Sequence, residues 1–356
     1  MTPKERVRAA VEFKAIDRIP FWPKIDKSYE YKWGRPPSYY HDLIKSDRIA
    51  GICKSFSEKR TTTWFEETTN GNEMVTIFGT PHGQLRQVKR FDAPSQSWHP
   101  TEFPIKSKDD IIIMTQWVKD AEVVFDKEQH DKAVEMYKSF GDNAFILDSI
   151  GQSALMHFVE WLAGVEDGHY LLFDCIAEAE ELFEAVHNNY LKRFEISIDK
   201  SPADTLQLTE NTSTTLISPN QFETYCLPHI SAYGKMVRES GRNFMLHMCG
   251  HLKRLLPMLN LVSANIFEAF TSPPVGDTTL LDGRLECPDV CLCGGTNAVI
   301  WMQSVRDIIA YIEEQLDVLP HHRGIHISSA GVMPPMCEVE KIIAVKEWLD
   351  KYPIRV

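Results

Sequence analysis

From about residue 108 onward, apolar positions follow two alternating periods. Three-to-four-residue spacing predicts amphipathic helices over 108–119, 127–139, 154–163, 176–200, 219–239, 251–259, 303–316 and 338–350. Between them, short apolar runs at 144–147, 205–208, 243–246, 265–268, 290–293 and 324–328 read as buried strands. Strands alternating with helices at this spacing imply parallel βαβ units. No Gly-x-Gly-x-x-Gly follows the first strand, which removes the main support for a dinucleotide-binding sheet. A count of about seven or eight strands predicts a TIM-type (β/α)8 barrel.

The first hundred residues have a different texture. Residues 3–14 are spaced as a helix, with Val7, Ala10, Val11 and Ala15 on one side, and 17–22 read as a turn into a first strand. Residues 28–100 are rich in aromatics, Thr, Gly and Pro, with alternating stretches at 74–78 and 83–91. That pattern predicts a small β-meander with loops beside the barrel. The whole of 1–356 is read as one barrel domain carrying this N-terminal β-containing extension.

Composition narrows the partners. The chain has 356 residues, 43% hydrophobic and 25% charged, which is ordinary for a globular protein. Fifty acidic residues against 38 basic ones give a formal net charge of -12, which argues against nucleic acid or an anionic membrane as the main partner. No apolar run is long enough to span a bilayer, and the polar start predicts no cleaved leader. Eight cysteines in a chain of this size suit a reduced cytoplasmic protein, with thiols packed or bound to metal.

Barrel enzymes gather their active sites at the C-terminal ends of the strands. Polar residues predicted there are Asp148, Glu210, His247, Cys249, Glu268, Asn297, Ser328 and Ser329, each set expected to converge on one rim. His247 and Cys249 are the informative pair. On a strand, positions i and i+2 share a face, so an imidazole and a thiol could reach one ion, and that donor pair suits Zn²⁺. Asp148 and Glu268 would orient the metal ligands, and His251 would start the next helix. Cys287, Cys291 and Cys293 read as packing thiols, and His321-His322 as a solvated turn.

His247-x-Cys249-Gly250 after a strand resembles the zinc motif of the corrinoid-dependent methyltransferases within the uroporphyrinogen decarboxylase superfamily. Lys4-Glu5-Arg6-Val7-Arg8-Ala9-Ala10 followed by Asp17-Arg18-Ile19-Pro20 is similar to the superfamily's opening. Leu216-Ile217-Ser218-Pro219-x-x-Phe222, Pro273-Pro274-Val275-Gly276-Asp277 and Gly294-Gly295-Thr296-Asn297 resemble its later signatures. The resemblance implies a (β/α)8 barrel, zinc, and a methyl group exchanged with cobalamin carried by a separate corrinoid protein. The chain has no Asp-x-His-x-x-Gly of the usual cobalamin-binding type, so that partner is expected to dock over the open rim.

Two departures refine what the resemblance implies. The decarboxylases carry an Arg-rich segment after the first strand, whereas this chain has Phe21-Trp22-Pro23-Lys24-Ile25-Asp26-Lys27, which disfavours a poly-carboxylate substrate. Thiol-methylating members carry a zinc-binding Cys at the end of the last strand, where this chain has Ser328-Ser329-Ala330-Gly331. The ligand set assigned here is therefore Glu210, His247 and Cys249, with Cys337 as the alternative third donor. A shell with fewer thiolates leaves zinc more Lewis acidic, which favours opening a methoxylated aromatic (O-demethylation) over methylating a thiol of the coenzyme M type. Trp22, Trp33, Trp64, Phe65 and Trp98 are candidate walls for an aryl pocket. A uroporphyrinogen-type decarboxylase and a non-catalytic ligand-binding barrel are the remaining alternatives.

Overall fold

The computed structural model describes residues 1–355. Its strands are β1 (Phe21–Trp22), β2 (Arg48–Gly51), β3 (Phe56–Lys59), β4 (Trp64–Asn70), β5 (Glu73–Thr80), β6 (Gly83–Asp92), β7 (Ser97–Glu102), β8 (Glu122–Phe125), β9 (Ala144–Gly151), β10 (Thr205–Thr209), β11 (Asn243–His247), β12 (Ile266–Phe270), β13 (Cys291–Gly294) and β14 (Ile325–Ser328). Eight of them form one parallel sheet in the order β1-β14-β13-β12-β11-β10-β9-β2. With helices between successive strands this is the expected (β/α)8 barrel, nearly closed.

The seam between the end strands is built on one carboxylate. The Asp47 backbone N–H donates to the Phe21 carbonyl at 2.8 Å, and the Asp47 side chain accepts from the Phe21 N–H at 3.0 Å. Arg6 and Arg18, each 2.5 Å from an Asp47 oxygen, balance the buried charge. Arg6 sits on the helix Pro3–Val11, whose Val7, Ala10 and Val11 pack against Phe145, Met245, Ile266 and Cys291. That helix plugs the end of the barrel where the strands begin.

Strand parity divides the core into two layers. Trp22, Ile49, Phe145, Met245, Ile266, Cys291 and Cys293 fill the barrel interior, so Cys291 and Cys293 are packing thiols as expected. Leu206, Leu208, Phe244, Leu246, Phe267, Leu292, Ile325 and Ile327 face the helices. Each such buried side chain contributes about 1.5–3 kcal/mol of transfer free energy. A one-residue slip in any strand would exchange the layers.

The predicted helices 108–119 and 176–200 occur as Lys108–Lys119 and Ile176–Lys200. Two others are widened by a π-helical turn, Phe158–Leu162 and Phe222–Cys226. The expected helix 251–259 shrinks to Leu256–Leu259 because side chains take its first donors: Ser213 accepts the His251 N–H, and Asp277 accepts those of Leu252 and Lys253.

The region 28–100 is more varied than a β-meander with loops. It holds the helices Lys27–Trp33 and Pro37–Ile44, barrel strand β2, and β3 paired with β8. Local chemistry explains the first helix: Asp26 caps its start and Gly34, at φ 74°, ends it. The meander itself is the antiparallel sheet β4-β5-β6-β7. The helix Lys108–Lys119 packs between it and Ile176–Lys200. No helix among the described residues is long and apolar enough to cross a membrane.

Candidate functional site

His247 closes β11 with its side chain on the inward face, continuing the parity of Met245, and Cys249 lies beside it. The loop after them depends on Gly250. Its φ is 100°, and a Cβ there would stand 2.7 Å from Ser213 Oγ. A side chain would be strained in backbone and in space, so the glycine holds the β10 and β11 loops together under Cys249. The same two loops are tied again where the Glu210 and Asn211 N–H groups both donate to the His247 carbonyl, at 3.0 and 3.1 Å.

His247 Nδ1 hydrogen-bonds the carboxylate of Glu268, the inward residue of neighbouring β12. Lys24, just beyond β1, reaches the same carboxylate at 3.1 and 3.4 Å. Burial would raise the Glu268 pKa, but Lys24 and His247 hold it low; burial would lower that of His247, but Glu268 holds it high. Lys24, Glu268 and His247 form a line of alternating charge that fixes the ring, and Cys249 also hydrogen-bonds His247.

On the other side, Cys249 Sγ lies 3.7 Å from Asn211 Oδ1, and Asn211 Nδ2 donates to Glu160 at 3.2 Å. Gln152 Nε2 donates to the same Glu160 oxygen at 2.6 Å. Glu160 stands on the π-helical turn Phe158–Leu162 and was not among the residues singled out from the sequence. A regular helical period gives no reason to aim it at the rim; π turns recur at functional sites because they redirect side chains.

The structure does not gather the four residues assigned from the sequence. Glu210 continues the outward parity of Leu206 and Leu208. Its two oxygens accept from the Ser153 N–H at 2.7 Å and Ser153 Oγ at 2.5 Å, beside the Cys226 thiol. Burial pushes its carboxyl up to about 8. Cys337 is buried in the outer layer below Tyr29, whose hydroxyl bonds its carbonyl at 2.7 Å, and its thiol lies 3.8 Å from the Glu338 carbonyl. Among the described residues, no three His, Cys, Asp or Glu side chains are placed together to hold a metal as they stand.

The other rim candidates separate in the same way. Asp148 alternates outward with Ile146 and Ile150 and is buried, away from His247 and Cys249. Asn297 bonds Ser272 and the Pro273 carbonyl, and Ser329 accepts the Lys24 N–H, so both shape loops. His322 is fully buried, accepting the Arg355 N–H at 3.0 Å, in place of the solvated turn expected. Trp22 fills the barrel, Trp33 bonds the Pro335 carbonyl, Trp64 and Phe65 are exposed, and Trp98 packs on Phe91. An aromatic pocket exists, but Phe78, Trp117, Trp161 and Tyr190 wall it. This chamber, of about 470 Å³, adjoins a vestibule of about 180 Å³ that ends at Ser149, Thr209 and Asn211.

The profile of the family described as Uroporphyrinogen decarboxylase (URO-D) matches residues 164–352. A solved methyltransferase from Methanosarcina mazei is similar over 99% of this chain and 99% of its own, with a TM-score of 0.61 and 13% identity. That likeness is one of fold. No curated protein sequence matches the chain.

Proposed function

Because the chain belongs to the uroporphyrinogen decarboxylase (URO-D) family and shares the barrel of a methyltransferase, we propose that it is a zinc-dependent methyltransferase. It would move a methyl group from a methoxylated aromatic molecule to the cobalt of a separate corrinoid protein docked over the rim. The observation that carries this reading is the His247–Cys249 pair, with His247 Nδ1 held by Glu268 and Cys249 meeting Asn211 on the way to an aromatic-walled chamber.

The donor chemistry fits zinc: an imidazole oriented by a carboxylate, and a thiol beside it in the loop that follows the strand. His247 and Cys249 would hold the ion. For the third donor we assign Glu160, one Asn211 side chain away from Cys249, in place of Glu210, which Ser153 engages at both oxygens. Zinc there would supply Lewis acidity toward the ether oxygen, which otherwise leaves poorly as phenolate. The chain's own residues do the rest. Lys24 keeps Glu268 ionised, Glu268 sets the His247 ring, and Gln152 with Asn211 aims Glu160. All eight cysteines are free thiols, which suits a cytoplasmic location.

Metal analysis tests the reading. The purified protein should carry about one zinc per chain, and His247→Ala or Cys249→Ala should lose it. With a cobalt(I) corrinoid carrier and methoxylated phenols, it should produce the methyl-cobalt spectrum. Absence of zinc together with chelator-insensitive activity would overturn the proposal. Consumption of methyl-cobalt by a thiol, with no reaction of the ethers, would move the assignment to a thiol methyltransferase.

A further inference from the structure

A chain of formal net charge -12 keeps a positively charged chamber. Lys54, Lys89 and Arg193 all line it, against a single lining carboxylate, Glu58. Glu58 is already shared, 2.5 Å from Arg193 and 2.7 Å from Arg60. Among the described residues neither Lys54 nor Lys89 forms an ion pair, and Arg193 Nε is buried without an acceptor. Cations left unpaired within low-dielectric walls focus a positive potential on the space between them.

The walls say what kind of anion belongs there. Lys89 Nζ lies 5.5 Å from the Trp161 ring centroid, and the Arg193 guanidinium lies 4.5 Å from that of Tyr190. The Lys89 ammonium and the Arg193 guanidinium thus each stand over an aromatic ring, so positive charge and flat apolar walls border the same space, which suits a flat ring bearing one acid group better than a compact phosphate. The vestibule shares Lys54, Gly151, Gln152 and Trp161 with the chamber, so the two spaces are continuous. A rigid molecule with its acid group in the chamber would present its opposite end to Asn211, beside Cys249.

We propose that this chamber selects the substrate by charge, taking an aromatic carboxylate whose acid group pairs with Lys54, Lys89 and Arg193 while its ring lies on Trp161. The identity of the group at the far end, a methoxyl, rests on the methyl-transfer reading above. The anion site does not.

Binding to the purified chain tests this without a corrinoid partner, by calorimetry and by quenching of tryptophan fluorescence. The ligands are 4-methoxybenzoate and two neutral analogues, methoxybenzene and 4-methoxybenzyl alcohol. The acid should bind at least about tenfold more tightly than either, as expected when a charged hydrogen bond is made in a walled site. Lys54→Met with Lys89→Met should abolish that preference and leave neutral binding in place, and Lys54→Arg with Lys89→Arg should restore it. Should the methionine pair fail to fold, Lys89→Gln alone must still reduce the preference. Equal binding of acid and neutral ligands, or a preference untouched by these variants, overturns the proposal. Binding of the acid with no methyl transfer upholds the chamber and overturns the methyl-transfer reading. Transfer from neutral ethers with no preference for the acid does the converse.

Discussion

Glu268 and Glu210 are both fully buried carboxyl groups near the C-terminal ends of barrel strands, with only β11 between them. Their surroundings are opposite. Glu268 faces inward, where Lys24 and His247 hold it as an anion. Glu210 faces the helices among Ser153 and Cys226, where burial keeps its proton on up to about 8. One step of strand parity thus separates a group that can organise a charged site from one that behaves as a neutral hydrogen-bonding residue. Burial and strand-end position alone do not tell them apart.

The contrast can be broken most forcefully at its inward end. Glu268→Ala strips the counter-charge from Lys24 and His247 and should cost about 3 kcal/mol or more of stability in urea unfolding, with loss of zinc. Glu268→Gln, which keeps the shape, should lose zinc affinity with a smaller stability change. If Glu268→Ala melts like the parent, the charge chain is not what holds this rim.

A middle-sized effect is expected at the glycine that joins the two loops. Gly250→Ala places a Cβ 2.7 Å from Ser213 Oγ at φ 100° and should cost about 1–3 kcal/mol, lowering the melting temperature and weakening zinc through Cys249. An unchanged melting temperature would show that the loops separate freely.

The smallest effect sharpens the outward end. Glu210→Gln replaces a protonated carboxyl by an amide of the same shape and should change stability by less than about 1 kcal/mol at pH 5. Between the ordinary 4.5 and about 8, the unfolded chain has released a proton that folded Glu210 keeps. The parent should therefore lose stability as pH rises through that window, and the glutamine variant should lose that part of the slope. Urea midpoints at pH 5 and pH 8 measure it; equal slopes in parent and variant would place the carboxyl elsewhere.

Much of this was readable in the residue pattern. Helix and strand periods located the barrel from β9 onward because its strands are apolar and its helices amphipathic. The alternation was counted through Cys249, but β11 ends at His247 and Cys249 lies in the loop beyond it; the same count, continued along β10, places Glu210 with Leu206 and Leu208. What a periodic reading could not reach was Glu160, because its direction comes from a widened turn. Nor could it reach Trp117 and Tyr190, whose helices look ordinary until the meander folds over them. The aromatic density of residues 21–98 suggested a pocket wall; Phe78 does wall the chamber, but the expected Trp22, Trp33 and Trp98 serve the barrel interior and local packing.

The π-helical turn has a mechanical consequence. At Phe158–Leu162 the Ala163 N–H reaches back to the Phe158 carbonyl, one residue further than in an α-helix, while the Trp161 carbonyl is held by Gln87 of the meander. Successive residues of that turn thereby serve two compartments: Glu160 meets Asn211, and Trp161 borders both chamber and vestibule. Wall and anchor are thus cut from a single rigid piece, so whatever tilts the indole also steers the carboxylate.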